Sequence, residues 1–198
     1  MRFPFTPTPM AGLAALLLLL GCGGAKQSQD ITSSAHAPVK AGALVYTAPT
    51  GAGYQLVKDA SSSSTHLVLG LVGPAGAQLK GVVLTLNTDA AKATWSNPGG
   101  TADSYIKEGH VLALGAGTKL MKSQLSGSSL QLALFQKGNA AAATLGAQQP
   151  LLSVALDLKA GATPGPVSLS SATAQILDPT GTTQAITVAV GTLTRVLP

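Results

Sequence analysis

Five stretches of this chain alternate apolar with small or polar residues, and that period of two limits the fold more than any other feature. HLVLGLVG sets Leu67, Leu69 and Leu71 on one side. KGVVLTLNTD does the same with Val82, Leu84 and Leu86, and SSLQLALFQKG with Leu130, Leu132 and Leu134. In LLSVALDLKA, Leu152, Val154, Leu156 and Leu158 alternate with Ser153, Ala155, Asp157 and Lys159. In TQAITVAVG the apolar set is Ile186, Val188 and Val190. Successive side chains of a strand leave on opposite faces, so each stretch reads as a strand with one face in a core. GYQLVKD, HVLALG, VSLSS, TAQILD and GTLTRV are shorter candidates of the same kind.

Turn chemistry separates these segments. VGPAGAQ, SNPGG, KAGATPGP and DPTGTT place Gly or Pro where the backbone must reverse. AAAATLGAQQ has room for a helical turn and no more. About nine short strands joined by such turns predict an all-β sandwich. Only 10% of the residues are charged and 4% are aromatic, against a usual charged share of about 25%. A core built from this composition packs by interdigitating Leu and Val. No repeat of 20–50 residues divides the chain, so residues 44–198 are expected to form one domain.

The chain begins MRFPFTPTPMAGLAALLLLLGC. Arg2 supplies a positive start, and Ala11 to Leu20 form an apolar run of about ten residues. A membrane span needs about 20, so residues 1–21 read as a secretory signal peptide. Leu19, Leu20, Gly21 and Cys22 resemble the lipobox of bacterial lipoproteins. The resemblance implies acylation of Cys22, cleavage just before it, and a membrane partner reached through the lipid. Two or three acyl chains anchor stably where one is marginal. Gly23 stands where Asp resembles an inner-membrane retention signal, which implies the outer membrane of a Gram-negative envelope. Cys22 is the only cysteine, so the exported domain has no disulfide. Residues 22–43 are rich in Gly, Ser and Ala without an apolar period and read as the lipidated N-terminus and a flexible tether.

GVVLTLNTD followed by AAKATW resembles a cohesin strand that ends in Asp before a loop. PLLSVALDLKAGATPGPVSLSSATAQILDPTGTTQAITVAVGTLTRV resembles the C-terminal half of that family, with its Gly/Pro turns between strands. The similarity spans roughly residues 54–197 and lies in strand pattern and turn placement. It implies a nine-stranded jelly roll of the cohesin and carbohydrate-binding-module type, and a binding or scaffolding function. Cohesins show polar side chains to dockerins just before the matched strand. Gly81 and Val83 stand at those positions here. Asp89 matches the family's strand-end Asp and is expected to hold the turn that follows.

The residues give no catalytic set. There is no G-x-S-x-G elbow, no P-loop, no G-x-G-x-x-G after a strand and no His/Cys metal spacing. GAGTKL lacks the G-K-[ST] ending and reads as a turn. No cofactor is implied, and the chain is expected not to be an enzyme. The densest polar cluster is TADSYIKEGH, with Asp103, Tyr105, Glu108 and His110. It reads as a solvated loop or a ligand site. His66 opens a strand and reads as an edge residue. Trp95, the one tryptophan, either covers the edge of the sandwich or stacks on a sugar ring. The formal charge of +5 includes Arg2, and the lysines are scattered, which argues against nucleic acid. Two function classes follow. One is a lipid-anchored module gripping a protein partner or glycan, with Trp95, Asp103, Tyr105 and Glu108 as candidate ligand contacts. The other is a structural or assembly-assisting envelope lipoprotein.

Overall fold

The computed structural model describes residues 42–99, 104–114 and 120–197. Cys22, residues 22–41 of the tether with His36, Asp103 and most of GAGTKL lie outside these residues. The described chain is built from strands and turns. Its sixteen strand segments include six of only two or three residues, which is why the sequence pattern yields about nine. In chain order they are β1 (Ala43–Thr47), β2 (Tyr54–Lys58), β3 (His66–Val72), β4 (Gln78–Leu79), β5 (Gly81–Thr88), β6 (Ala93–Ser96), β7 (Lys107–Glu108) and β8 (Met121–Ser126). They continue with β9 (Ser129–Phe135), β10 (Ala143–Thr144), β11 (Leu152–Leu158), β12 (Gly165–Val167), β13 (Leu169–Leu177), β14 (Thr183–Ala185), β15 (Val188–Ala189) and β16 (Thr192–Val196).

Two sheets carry the sandwich. One runs β14-β13-β5-β9-β8 and the other β15-β2-β3-β11-β6, with β7 also on β11. The strand β16 joins β1 to β12 in a third, three-stranded sheet, and β10 pairs β4. In β5 and β9 the alternation behaves as the sequence predicts. Val82, Leu84, Leu86, Leu130, Leu132 and Leu134 are buried, and their neighbours face outward. The strands β3 and β11 are buried on both faces along most of their length, because loops lie over the outer side. Ser62 Oγ reaches the Val68 backbone, and Pro150 packs on Gly70. Apolar residues from both sheets meet in one core, and truncating a core Leu to Ala costs about 2–5 kcal/mol.

Three sequence readings change in the fold. AAAATLGAQQ forms no helix, because Ala143 and Thr144 pair with Leu79 and Gln78 as β10 on β4. Residues 110–114 of HVLALG form no strand. His110 takes a positive φ of 59°, which breaks an extended run, although Leu112 and Leu114 are buried. TQAITVAVG divides between the two main sheets: β14 pairs β13, and β15 runs parallel to β2. The turn readings hold. Asp178 Oδ1 accepts from the Thr180 and Thr182 N–H groups at 2.9 Å each, and Gly181 takes φ 88°. Those hydrogen bonds, with that of the Thr180 hydroxyl first, hold the Asp178 carboxyl below its ordinary range.

Tyr46 ties two parts of the fold together. Its hydroxyl donates to the Leu56 carbonyl at 2.9 Å and accepts from the Gly191 N–H at 2.8 Å. Burial raises its pKa above the ordinary 10.0, partly offset by the Gly191 N–H, and burial raises Tyr54 in the same direction. Above pH 10 the unfolded chain ionises these phenols while the folded chain keeps its protons, so stability falls as pH rises through the folded values. Tyr46→Phe is expected to lose about 1–3 kcal/mol near neutral pH, because it leaves a buried carbonyl and a buried N–H short of a partner. It should also flatten the alkaline loss. Urea melts of both proteins at neutral and alkaline pH check this.

Candidate functional site

The outer face of the five-stranded sheet is set by the polar half of each alternation. In β5 this half is Val83, Thr85 and Asn87, and across from them in β9 stand Ala133, Gln131 and Ser129. The edge strand β8 adds Lys122, Gln124 and Ser126. On the other side of β5, Thr173 stands beside Thr85 and Gln175 beside Val83. A bulge between Ser171 and Thr173 shifts the β13 register and adds local twist. Lys122 is the only charged residue in the five strands. The face is therefore a flat array of carboxamides, hydroxyls and small apolar groups. A shallow open groove of about 260 Å³ crosses it between Val83, Ala133, Gln131, Gln124 and Lys122.

Gly81 has a structural role on this face. A Cβ there would run into the Phe135 ring, which lies over the glycine from the neighbouring strand. An aromatic ring thus covers the sheet's outer face at this position. Asp89 holds the following turn as expected. Its Oδ1 accepts from the Ala91 N–H at 2.9 Å, and its carbonyl accepts from Lys92 and Ala93.

The sequence candidates separate in space and in role. Trp95 is 5% exposed. It stands opposite Leu156 on β11 and donates its indole N–H to the Ser128 carbonyl at 2.9 Å. Ser128 lies in the turn between β8 and β9, so the ring bridges the two sheets. It takes the packing role and offers no open face for a sugar. Tyr105 is half-buried against the core, and its N–H donates to Ser123 Oγ at 3.1 Å, which fastens this loop to β8. Glu108 is half-buried in β7, and its carboxylate lies 3.6 Å from His110 Nδ1. Asp103 lies outside the described residues. Glu108 and Trp95 share one side of β11, opposite Leu152 and Leu156, roughly 13 Å apart along the strand.

His66 stands where β3 has a strand neighbour on one side only, since β2 pairs Leu69–Val72. It opens β3, and its Nδ1 lies 2.5 Å from Asp157 Oδ1 across the pairing with β11. No group of three His, Cys, Asp or Glu side chains able to hold a metal occurs among the described residues. Sequence reasoning missed the outer-face array itself. Its signal was present in the polar positions of the KGVVLTLNTD and SSLQLALFQKG alternations, but not the pairing that assembles them.

No protein-family model matches the chain, and no curated protein matches it. Solved structures do. The chain is similar to the sixth cohesin of scaffoldin B from Acetivibrio cellulolyticus, solved in complex with a Cel5 dockerin mutant, at 15% identity and a TM-score of 0.51. That match covers 72% of this chain and 96% of the other. CaCohA2 from Clostridium acetobutylicum matches at 10% identity and a TM-score of 0.51, over 73% of this chain and 90% of that one. The Coh-OlpA–Doc918 complex from Clostridium thermocellum matches at 5% identity and a TM-score of 0.50, over 70% and 98%. At such identities the likeness speaks to the fold, which is an all-β sandwich of the cohesin type.

Proposed function

We propose that this chain is a lipid-anchored, non-catalytic binding module that recognises a protein partner through the outer face of the five-stranded sheet. The carrying observation is that this face holds a single charge, Lys122, across five strands. Drying a charge in an interface costs several kcal/mol unless it is paired, whereas carboxamides and hydroxyls exchange water for partner hydrogen bonds at little net cost. The groove beside Val83 and Ala133 adds a small apolar seat. A flat, two-sided hydrogen-bonding surface suits another folded protein better than a small molecule, which needs concavity. Two of the similar solved structures are cohesin–dockerin complexes, which favours a compact protein module as partner. Phe135 over Gly81 changes the chemistry on offer at one corner, so the partner's contacts there are apolar.

The test compares full-length wild type with a Val83→Arg/Gln131→Arg double variant as baits in capture from native envelope extracts. Two unpaired charges at the centre of the face are expected to weaken a specific partner by at least about 100-fold, while far-UV circular dichroism and the melting curve stay unchanged. Equal capture by both baits, or no capture by the wild type, defeats the reading.

The anchor rests on Cys22 and the leader before it. In this reading the lipidated protein resides in the cell envelope, at the outer membrane. Cys22→Ser is expected to move the protein from the detergent phase to the aqueous phase of a Triton X-114 partition without changing its fold. Retention in the detergent phase would overturn the lipoprotein assignment.

A further inference from the structure

Among the described residues four large apolar side chains stand exposed, and three of them lie together at the three-stranded sheet. Val45 is 47% exposed, Val196 37% and Leu197 62%. Residues paired across antiparallel strands leave the sheet on the same side. Ala43 stands opposite Val196, and Thr194 has Val45 on one flank and Pro166 on the other. Tyr46, Leu193 and Val167 take the inner side and are buried. The outer side therefore presents Ala43, Val45, Val196 and Pro166 around Thr194, with Leu197 just past the strand. Arg195 is the only charged residue in these three strands, and it is buried. The outer face can shed its water without drying a charge.

We propose that this face docks on the surface of a lipid bilayer, seating Val45, Val196 and Leu197 among the headgroups. The occupant follows from where the chain enters the sheet. Only residues 23–42 separate Cys22 from Ala43, the first residue of β1. A link of that length spans at most about 70 Å and holds the domain over the bilayer at an effective concentration in the millimolar range. A patch of three side chains, too weak to recruit the domain from bulk solution, is then enough to orient it. The inference rests on the anchor at Cys22 and adds an orientation that the anchor alone does not impose. At the rim of the face, Lys92 Nζ donates to the Pro166 carbonyl at 2.7 Å, which sets an ammonium group at headgroup depth. A second copy of the chain fits less well. Three strands of at most five residues make a face of about 15 by 17 Å, far short of the roughly 800 Å² that each side of a stable dimer buries. The face is separate from the protein-docking one, which lies on a different sheet.

The test is amide NMR of the isotope-labelled full-length chain in phosphatidylcholine nanodiscs in which a fraction of the headgroups carries gadolinium. Amides of Ala43–Thr47 and Thr192–Leu197 are expected to broaden, while those of Val83 and Gln131 stay sharp. Replacing Val45→Thr, Val196→Thr and Leu197→Ser together should weaken docking at least about tenfold and remove the broadening. Threonine keeps the β-branched shape that suits a strand, so the sheet itself is retained. Leu120→Ser is the control. Leu120 is the fourth exposed apolar side chain, at 42%, and its carbonyl pairs with Phe135 on the five-stranded sheet, so its loss should leave the broadening as in wild type. Mass spectrometry reads the acylation of Cys22 separately. If the chain is unacylated, its Cys22 thiol is coupled to a maleimide-headgroup lipid and the same spectra decide, so a failed anchor is not mistaken for failed docking. The proposal falls if the patch amides broaden no more than those of Val83 and Gln131, or if the triple variant broadens like wild type. It falls too if the broadening vanishes when each disc holds one chain, which gives the face to a second copy.

Discussion

Trp95→Ala is expected to remove about 3–5 kcal/mol of unfolding free energy, which is a large part of the 5–15 kcal/mol that a domain usually has. The ring is 5% exposed and opposite Leu156, and its N–H is committed to the Ser128 carbonyl. Truncation opens a cavity between the sheets and loosens the turn that joins β8 to β9. Trp95→Phe separates the two effects. It keeps most of the packing and loses the hydrogen bond, a cost of about 1 kcal/mol, softened because the Ser128 carbonyl also accepts from the Thr88 N–H. Urea melts followed by far-UV circular dichroism measure both, since fluorescence is lost with the only tryptophan. A loss below about 1 kcal/mol for the Ala variant would mean that the ring is not part of the core. The prediction bears on function too: any binding defect of Trp95→Ala reports a weakened fold before it reports a lost ligand contact.

The β sandwich was legible because one-sided burial imposes period two on the chain. Leu84 and Leu132 are buried, with half-exposed or exposed neighbours. The turn acids were legible for a local reason as well, since Asp89 and Asp178 bond backbone groups only two residues on. What failed were features decided by distant partners. The strand β8, MKSQLS, lacks a strong apolar face because Met121 and Leu125 are only half-buried at the sheet edge, so its sequence carries little signal. TQAITVAVG keeps its alternation yet crosses from one sheet to the other, because its pairing is with β13 and β2 rather than along itself. The outer-face array depends on β5 lying beside β13, whose sequence comes some ninety residues later. The role of the TADSYIKEGH loop was not legible for a related reason. Side-chain density in TADSYIKEGH is a local property, but Tyr105 turns to the core and Glu108 joins a strand pair, and only the fold decides that.

Gly109→Ala is expected to cost about 2–3 kcal/mol, more than a substitution at a loop glycine usually does. The Gly109 N–H donates to the Leu151 carbonyl at 3.0 Å, immediately after β7 has paired with Leu152 and Ser153. A Cβ at this position would overlap the Pro150 carbonyl. Backbone on both sides means that no side chain can swing away to make room. Pro150 cannot retreat either, because its own ring packs on Gly70 of β3. Among the described residues the two non-glycines with positive φ, His110 and Gln148, flank this contact on the two loops, so the close approach also fixes where their side chains stand. Gly127→Ala is the control. Its φ of 60° strains an alanine, but nothing lies within 4 Å of the added methyl, so its cost should stay near the 1–2 kcal/mol of left-handed backbone alone. If the two variants melt together in urea, a backbone shift relieves the overlap at residue 109 and the loops are not locked. If Gly109→Ala melts distinctly earlier, the contact between the β7 loop and Pro150 is what holds this side of the sandwich closed.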